Sequence, residues 1–294
     1  MPDMTLDQLN AADKAGFVAA LGGIFEHSPW VAEAAAAARP FPTLAALLAA
    51  MQDAARMAGS ARQTELIKAH PDLAGKAARG GKITADSIAE QTSAGLDRLS
   101  EEEFATFHSL NDAYRDKFGI PFVICVRRHT KGSILRQFEQ RLTNTADAER
   151  AAALTEIVRI AAFRLDQHVS GPDRLPVHGR LSTHVLDTHS GRPASGVNID
   201  LMELDGSEAH LVERTITNED GRTDKPLISG RPLPIGDYEL RFDVVDYFVR
   251  CHVPMADPPF LGIVPIRFSI AEPEGHYHVP LLASPWSYTT YRGS

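Results

Sequence analysis

Histidines, a carboxylate and arginines stand at spacings that suit proton transfer and anion binding. In KAHPDLAGKAA, His70 directly precedes Pro71. Proline disfavours helix for the residue before it, so a helix is predicted to end at His70, with the imidazole at the edge of a cleft. An imidazole titrating near neutrality can give or take a proton there. The same position also suits a surface histidine that complements a helix C-terminus. In SIAEQTSAGL, Ser87, Glu90 and Gln91 lie three and four residues apart, hence on one helix face. Hydroxyl, carboxylate and amide so grouped suit a polar heterocycle, or equally a solvated face. Arg127 ends the apolar run IPFVICV. A guanidinium there can clamp a carboxylate through two parallel hydrogen bonds, or simply reach the surface.

A second set of such residues lies in the C-terminal half. His184 sits in LSTHVLDTHSGRPASGV and Arg222 directly follows the turn pair Asp220-Gly221. His276 and His278 are two apart, which puts them on the same face of a strand. Tyr291, Arg292, Gly293 and Ser294 close the sequence. From spacing alone, His184, His276 and His278 could bind zinc, although no carboxylate or second histidine pair is grouped with them. Exposed strand histidines are the plainer reading.

The elements that must carry these residues differ between the halves. Of 40 alanines, 35 fall in residues 1–171; of 19 prolines, 13 fall after them. Alanine favours helix and proline is excluded from helix interiors, so a helical first part and a second part of strands and turns are expected. Three capping-box spacings mark helix starts: Thr5 with Gln8, Ser60 with Gln63, and Ser100 with Glu103. Phe107, Leu110, Tyr114 and Phe118 recur at helical spacing, as do Leu154, Ile157, Val158, Ala161 and Leu165. IPFVICV reads as a buried extended connector. After residue 171 the period becomes two: Tyr238, Leu240, Phe242 and Val244 alternate with charged residues, and Val264, Ile266, Phe268 and Ile270 repeat the pattern. Asp205-Gly206 and Asp220-Gly221 are turn pairs. Short strands at such spacing predict a sandwich. The expected architecture is therefore multidomain: an all-α helical bundle over 1–168, a linker over 169–179 rich in Gly and Pro, and an all-β sandwich over 180–294.

Composition narrows the function classes. A 44% hydrophobic and 23% charged chain of 294 residues is an ordinary folded protein. Its net charge of -8 argues against a broad nucleic-acid surface. Two distant cysteines, Cys125 and Cys251, build no disulfide scaffold and fit a reducing compartment. The acidic start MPDMTLDQLN is unlike a signal peptide, no run reaches the length of a membrane helix, and YRGS is unlike a peroxisomal SKL. A cytoplasmic protein is expected.

The helical motifs, taken in order, resemble the OHCU decarboxylase family: HPDL, S-x-x-EQ-x-x-AGL, AYR-x-KFG-x-PFVI, and the spacing of Arg141, Leu142 and Asn144. That family acts on 2-oxo-4-hydroxy-4-carboxy-5-ureidoimidazoline (OHCU) in urate breakdown. The resemblance implies an all-helical fold without a cofactor. It makes His70 the catalytic acid/base, Ser87, Glu90, Gln91 and Arg127 substrate-binding, and Ile160 a residue of the pocket. Ser93 stands where the family pattern has glycine. The β motifs LSTHVLDT-x-x-G-x-PA, T-x-x-DGR and H-x-HVPLL-x-SP-x-x-YTTYRGS resemble the 5-hydroxyisourate hydrolase branch of the transthyretin-like family. This resemblance implies catalytic roles for His184, Arg222, His278 and Ser294, with Tyr291, Arg292 and Gly293 shaping the pocket. Ala283 and Trp286 stand where leucine and tyrosine are usual. It also implies a tetramer through the β domain, to which dimer contacts of the helical domain would add.

The chemistry agrees with the residue types. Opening a ring amide needs an activated water and a stabilised oxyanion, which two histidines and an arginine can supply. Losing CO2 leaves negative charge that fixed donors stabilise. The two activities are consecutive, so the joint resemblance implies one bifunctional enzyme that carries 5-hydroxyisourate to (S)-allantoin, with small-molecule substrates, no metal, no cofactor, no nucleic acid and no membrane. The rival is a transthyretin-like ligand carrier with a helical interaction domain.

Overall fold

The computed structural model describes residues 4–74 and 84–293. Ser294, a residue of the expected hydrolytic site, lies outside the described residues. The chain divides into two compact units: Met1–Arg127 with Ser133–Val177, and Arg128–Gly132 with His178–Ser294. Each has its own apolar core. Among the described residues no helix is long and apolar enough to cross a membrane.

The first unit is built from α1 (Leu6–Ala11), α2 (Lys14–Leu21), α3 (Trp30–Ala35), α4 (Leu44–Met57), α5 (Ser60–Lys68), α6 (Ala85–Ser93), α7 (Glu101–Phe118), α8 (Lys131–Arg141) and α9 (Ala146–His168). The capping boxes at Thr5 and Ser100 form with both reciprocal hydrogen bonds. The box expected at Ser60 does not: Gly59 occupies the cap, and the Gln63 amide instead donates to the carbonyls of Ala55 and Arg56, at 3.3 and 2.8 Å. Those carbonyls belong to the last turn of α4, where free acceptors attract a donor. α5 ends at Lys68, two residues before the expected His70. Ile120–Val126 is a buried connector as its composition predicts, closing in a 3-10 turn at Val126–Arg128. The helices are joined by one departure from an all-α unit: β1 (Met4–Thr5) pairs in parallel with β2 (Val169–Ser170). Val169, Leu175 and Val177 are buried in the helical core, and the Asp173 carboxylate accepts from the N–H groups of Leu44 and Ala45 at 2.6 and 3.0 Å. Residues read as linker thus cap α4.

In the second unit, β6 (Asn198–Asp205), β7 (Glu208–Ile216), β9 (Gly236–Asp243) and β10 (Ile263–Ile270) form an antiparallel sheet in the order β10-β9-β6-β7. Tyr238, Leu240 and Phe242 face inward with Ile199, Leu201, Val264 and Ile266. The alternating pattern does not run through Val244: Asp243 caps a short helix, α10 (Val244–Arg250), by accepting from Asp246 N–H at 3.2 Å. The other strands form β11-β3-β8 (His276–His278, Gly179–Ser182, Ile228–Arg231) and β13-β12-β4-β5 (Ser287–Thr290, Leu281–Ser284, Val185–Asp187, Arg192–Pro193). The parallel pairing of β3 with β11 resumes in the same register as β4 with β12. The gap falls at Pro280, opposite His184. Proline has no N–H to donate to a ladder. Val279 N–H to Ser182 C=O (3.0 Å) and Leu281 N–H to His184 C=O (2.8 Å) bridge the gap on either side.

Candidate functional site

The helical unit holds a small cleft. His70 is part of its lining. Its N–H bonds to Ile67 C=O, and its Nδ1 lies 3.0 Å from Leu66 C=O. A carbonyl only accepts, so the proton sits on Nδ1 and Nε2 carries the lone pair. Nε2 is buried and has no partner among the described residues. Burial, helped by the Arg164 and His27 charges, lowers the imidazole to about 4 against the pull of Glu26. His70 is therefore a neutral base at neutral pH.

The loop that follows is tied at three points. The Arg115 guanidinium bonds the Asp72 carboxylate at 2.9–3.1 Å, Asn111 donates to Leu73 C=O at 2.9 Å, and the Gln91 side-chain oxygen accepts from Ala74 N–H at 2.9 Å. With its oxygen engaged, Gln91 offers its amide N–H2 as donor. Ser87, Glu90, Gln91 and Ile160 all line the cleft.

Two residues that the sequence reading passed over organise them. Arg164, 2% exposed, grips Glu90 with two hydrogen bonds (2.9 and 3.0 Å), Glu26 with one (2.6 Å) and Ser87 Oγ with another (3.3 Å). The Ser87 hydroxyl donates a hydrogen bond to Glu26, as does that of Thr84 (3.2 and 2.7 Å). Burial pushes the Glu26 carboxyl up, but the Arg164 charge and the hydrogen bonds from Thr84 and Arg164 outweigh it and hold Glu26 below its ordinary value. The signal was present: Arg164 is a charge within the apolar spacing of α9, and Glu26 directly follows the apolar run ending at Phe25. Ser93 folds its hydroxyl onto Glu90 C=O at 2.6 Å, accommodating the serine locally.

Phe122, Val123, Ile124 and Val126 form the apolar wall. An extended segment without strand partners must satisfy its backbone elsewhere. Arg141 donates to Val123 C=O at 2.7 Å and Glu156 accepts from Cys125 N–H at 2.9 Å. Glu149 gathers Tyr114, Arg141 and Asn144, which explains the spacing of those motif residues. Arg127 is not brought into the cleft lining. With the Gln167 amide oxygen turned toward it, its guanidinium bonds that oxygen at 2.8 and 3.2 Å, and it stands 6.0 Å from the Phe163 ring centre. Phe163 and Gln167 share one face of α9, and together they draw the arginine away.

In the β unit, the break at Pro280 frees His184, whose Nε2 is buried without a partner among the described residues. Val185 N–H reaches Gly221 C=O at 2.8 Å, and His184 and Arg222 form an isolated antiparallel bridge. Gly221 is required there: its φ is +71°, and a Cβ would lie 2.3 Å from Val185 C=O. Asn218 shapes the turn by accepting from the N–H groups of Asp220 and Arg222 at 3.1 and 3.2 Å. His278 bridges Gly293, whose N–H donates to His278 C=O at 2.8 Å. A Cβ on Gly293 would lie 2.7 Å from the His278 ring. His276 and His278 share a face and both meet the Ser182 hydroxyl, at 3.3 Å from Nε2 and 3.0 Å from Nδ1. Ser182 was not anticipated. Burial, then the Arg222 charge, lower both His184 and His278 from their ordinary range. Tyr291 is exposed, and the Arg292 guanidinium lies 4.6 Å over the Tyr277 ring and 3.7 Å from Glu272. Among the described residues no group of three or more His, Cys, Asp or Glu is arranged to hold a metal ion.

Residues 10–166 match the OHCU decarboxylase family and residues 181–293 the HIUase/transthyretin family. 5-Hydroxyisourate hydrolase 2 of Rhizobium meliloti (strain 1021) is 55% identical over 116 residues, 40% of this chain and 97% of that protein. The 2-oxo-4-hydroxy-4-carboxy-5-ureidoimidazoline decarboxylase of Halalkalicoccus jeotgali is 41% identical over 167 residues, 57% of this chain and 93% of that protein. A crystal structure of (S)-allantoin synthase aligns with 99% of this chain and 100% of its own, at 36% identity and a TM-score of 0.52. The chain belongs to the OHCU decarboxylase family through its helical half and to the HIUase/transthyretin family through its β half.

Proposed function

We propose that the chain hydrolyses 5-hydroxyisourate to OHCU in its β half and decarboxylates OHCU to (S)-allantoin in its helical half. The observation that carries this is the presence of both families on one chain, since the product of the first reaction is the substrate of the second. The hydrolytic domain is residues 180–294, the decarboxylating domain 1–168, and 169–179 join them.

In the helical cleft, Glu90 accepts from substrate N–H groups while Arg164 holds its carboxylate in place, and Gln91 donates through its amide. Ser87 completes this polar floor and Ile160 packs against the ring. His70 Nε2 takes the proton of the substrate hydroxyl. The imidazolium so formed sets a positive charge beside the carbanion that develops as the C–C bond breaks and CO2 leaves. The carbon that lost CO2 becomes the product carbonyl, and the same nitrogen returns a proton from one side to the adjacent ureido-bearing carbon, over which the charge has spread, which fixes its configuration. Arg127 acts on substrate only if it leaves Gln167.

In the β unit, His278 and His184 share the proton transfers of ring opening and Arg222 binds the oxyanion or the anionic substrate. Tyr291, Arg292 and Gly293 shape the pocket, and Ser294 brings a hydroxyl to it. Neither reaction uses a metal or cofactor. The enzyme is cytoplasmic and oligomeric, a tetramer through the β domain with dimer contacts through the helical one.

The test is paired. Added protein should speed the ultraviolet decay of 5-hydroxyisourate and yield optically active allantoin. A ligand carrier would leave decay at the spontaneous rate and the product racemic.

A further inference from the structure

Burial, and after it the charges of Arg222, His184, His276 and Arg180, disfavour the protonated form of His278. A base so placed can take a proton from water, but holding it is costly. Ser182 offers an exit. Its hydroxyl is buried, 9% exposed as a residue, and lies 3.0 Å from His278 Nδ1 and 3.3 Å from His276 Nε2. A hydroxyl donates one proton and accepts others. It can therefore accept from one ring while donating to the other. His276 is exposed to solvent.

We propose that Ser182 relays a proton between His278 and the solvent-facing His276. The step rests on the role given above to His278 as hydrolytic base. As water attacks the ring carbonyl, its proton moves to His278 Nε2. The Nδ1 proton moves to Ser182 Oγ, and the hydroxyl proton of Ser182 moves to His276 Nε2. The attacking oxygen becomes bonded to carbon, and His278 is left neutral in its other tautomer. The positive charge now rests on His276, which loses its proton to solvent. His278, now protonated on Nε2, can give that proton to the leaving ring nitrogen as the C–N bond breaks. His276 then takes a proton back from solvent, and the relay runs in reverse to return a proton through Ser182 to His278 Nδ1, restoring the first tautomer. The register makes this possible: His276 and His278 point to one face of β11, and Ser182 is paired with His278 on β3.

The experiment measures 5-hydroxyisourate decay with full-length protein in ordinary and deuterated water. Wild-type turnover comes first, because absence of any catalysis refutes the hydrolase reading rather than the relay. Ser182→Ala should lower kcat by about tenfold or more with little change in KM, and the solvent isotope effect should change. Ser182→Thr, which keeps the hydroxyl, should retain most activity. His276→Gln should lose activity in dilute buffer and regain it with added imidazole. An unchanged kcat and isotope effect in Ser182→Ala would overturn the relay. So would a Ser182→Thr enzyme as slow as Ser182→Ala, or a His276→Gln enzyme indifferent to imidazole while both variants remain folded.

Discussion

On the proposed reading, the two candidate sites face the same problem, moving a proton on a small anionic heterocycle, with opposite materials. The helical cleft is made of buried side chains drawn from remote helices and locked by one guanidinium between two carboxylates. The β site is made largely by the backbone: a ladder interrupted at a proline, a glycine turn and the bridge between His278 and Gly293. In the first, the histidine keeps its proton away because it is buried. In the second, burial is again the leading cause, and the Arg222 charge adds to it. A buried network makes stability and activity fall together, whereas a backbone-built edge separates them.

The sharpest break of this contrast is Arg164→Met. It strands two buried carboxylates, which costs about 3–5 kcal/mol. Calorimetry should show the helical unfolding transition lowered by roughly 10 °C, with decarboxylation lost and hydroxyisourate hydrolysis retained. Equal loss in both activities would contradict separate machinery.

Next comes His70→Ala. Stereospecific decarboxylation should fall by about 10²–10⁴-fold without loss of ring opening. In the wild type, kcat/KM for OHCU should hold as the pH drops below 6.5 and fail only toward about 4, since the neutral imidazole is the active form. An inflection near 6.5 would show the nitrogen to be solvated. The folded state binds this proton less readily than the unfolded one, so stability declines as pH falls from 6.5 toward about 4. His70→Gln should flatten that slope.

Deleting Tyr291–Ser294 should cut hydrolysis by roughly 10²-fold yet leave the melting transitions and decarboxylation in place. Chain ends usually tolerate such changes, so full hydrolase activity would remove the tetrapeptide from the site. A smaller effect is expected of Gly293→Ala, where the new methyl must push the His278 ring aside. Turnover should drop by about tenfold. Dialysis against a strong chelator should change neither rate, and a loss restored by zinc would move His184, His276 and His278 into a metal site.

Local pattern told a good deal about this protein. Period and composition separate helices from strands because side chains repeat every 3.6 or 2 residues, and a buried face must follow that repeat. The capping residues Thr5 and Ser100, the turn at Asp205-Gly206 and the shared face of His276 and His278 are equally local, so they could be read directly. Ser60 could not, because the choice between its own box and the carbonyls of Ala55 and Arg56 depends on where α4 ends against α5. Arg164 shows the limit most clearly. In sequence it is a charge on an apolar helix face; its meaning comes from Glu26 and Glu90, 138 and 74 residues away. The same holds for Ser182, whose two histidines lie 94 and 96 residues on. The sequence determined which chemistry the chain carries and which elements bear it. Only the tertiary structure decided which polar groups are committed to each other and which nitrogen is left for a reactant, because removal from water and pairing across distant segments have no local period to record them.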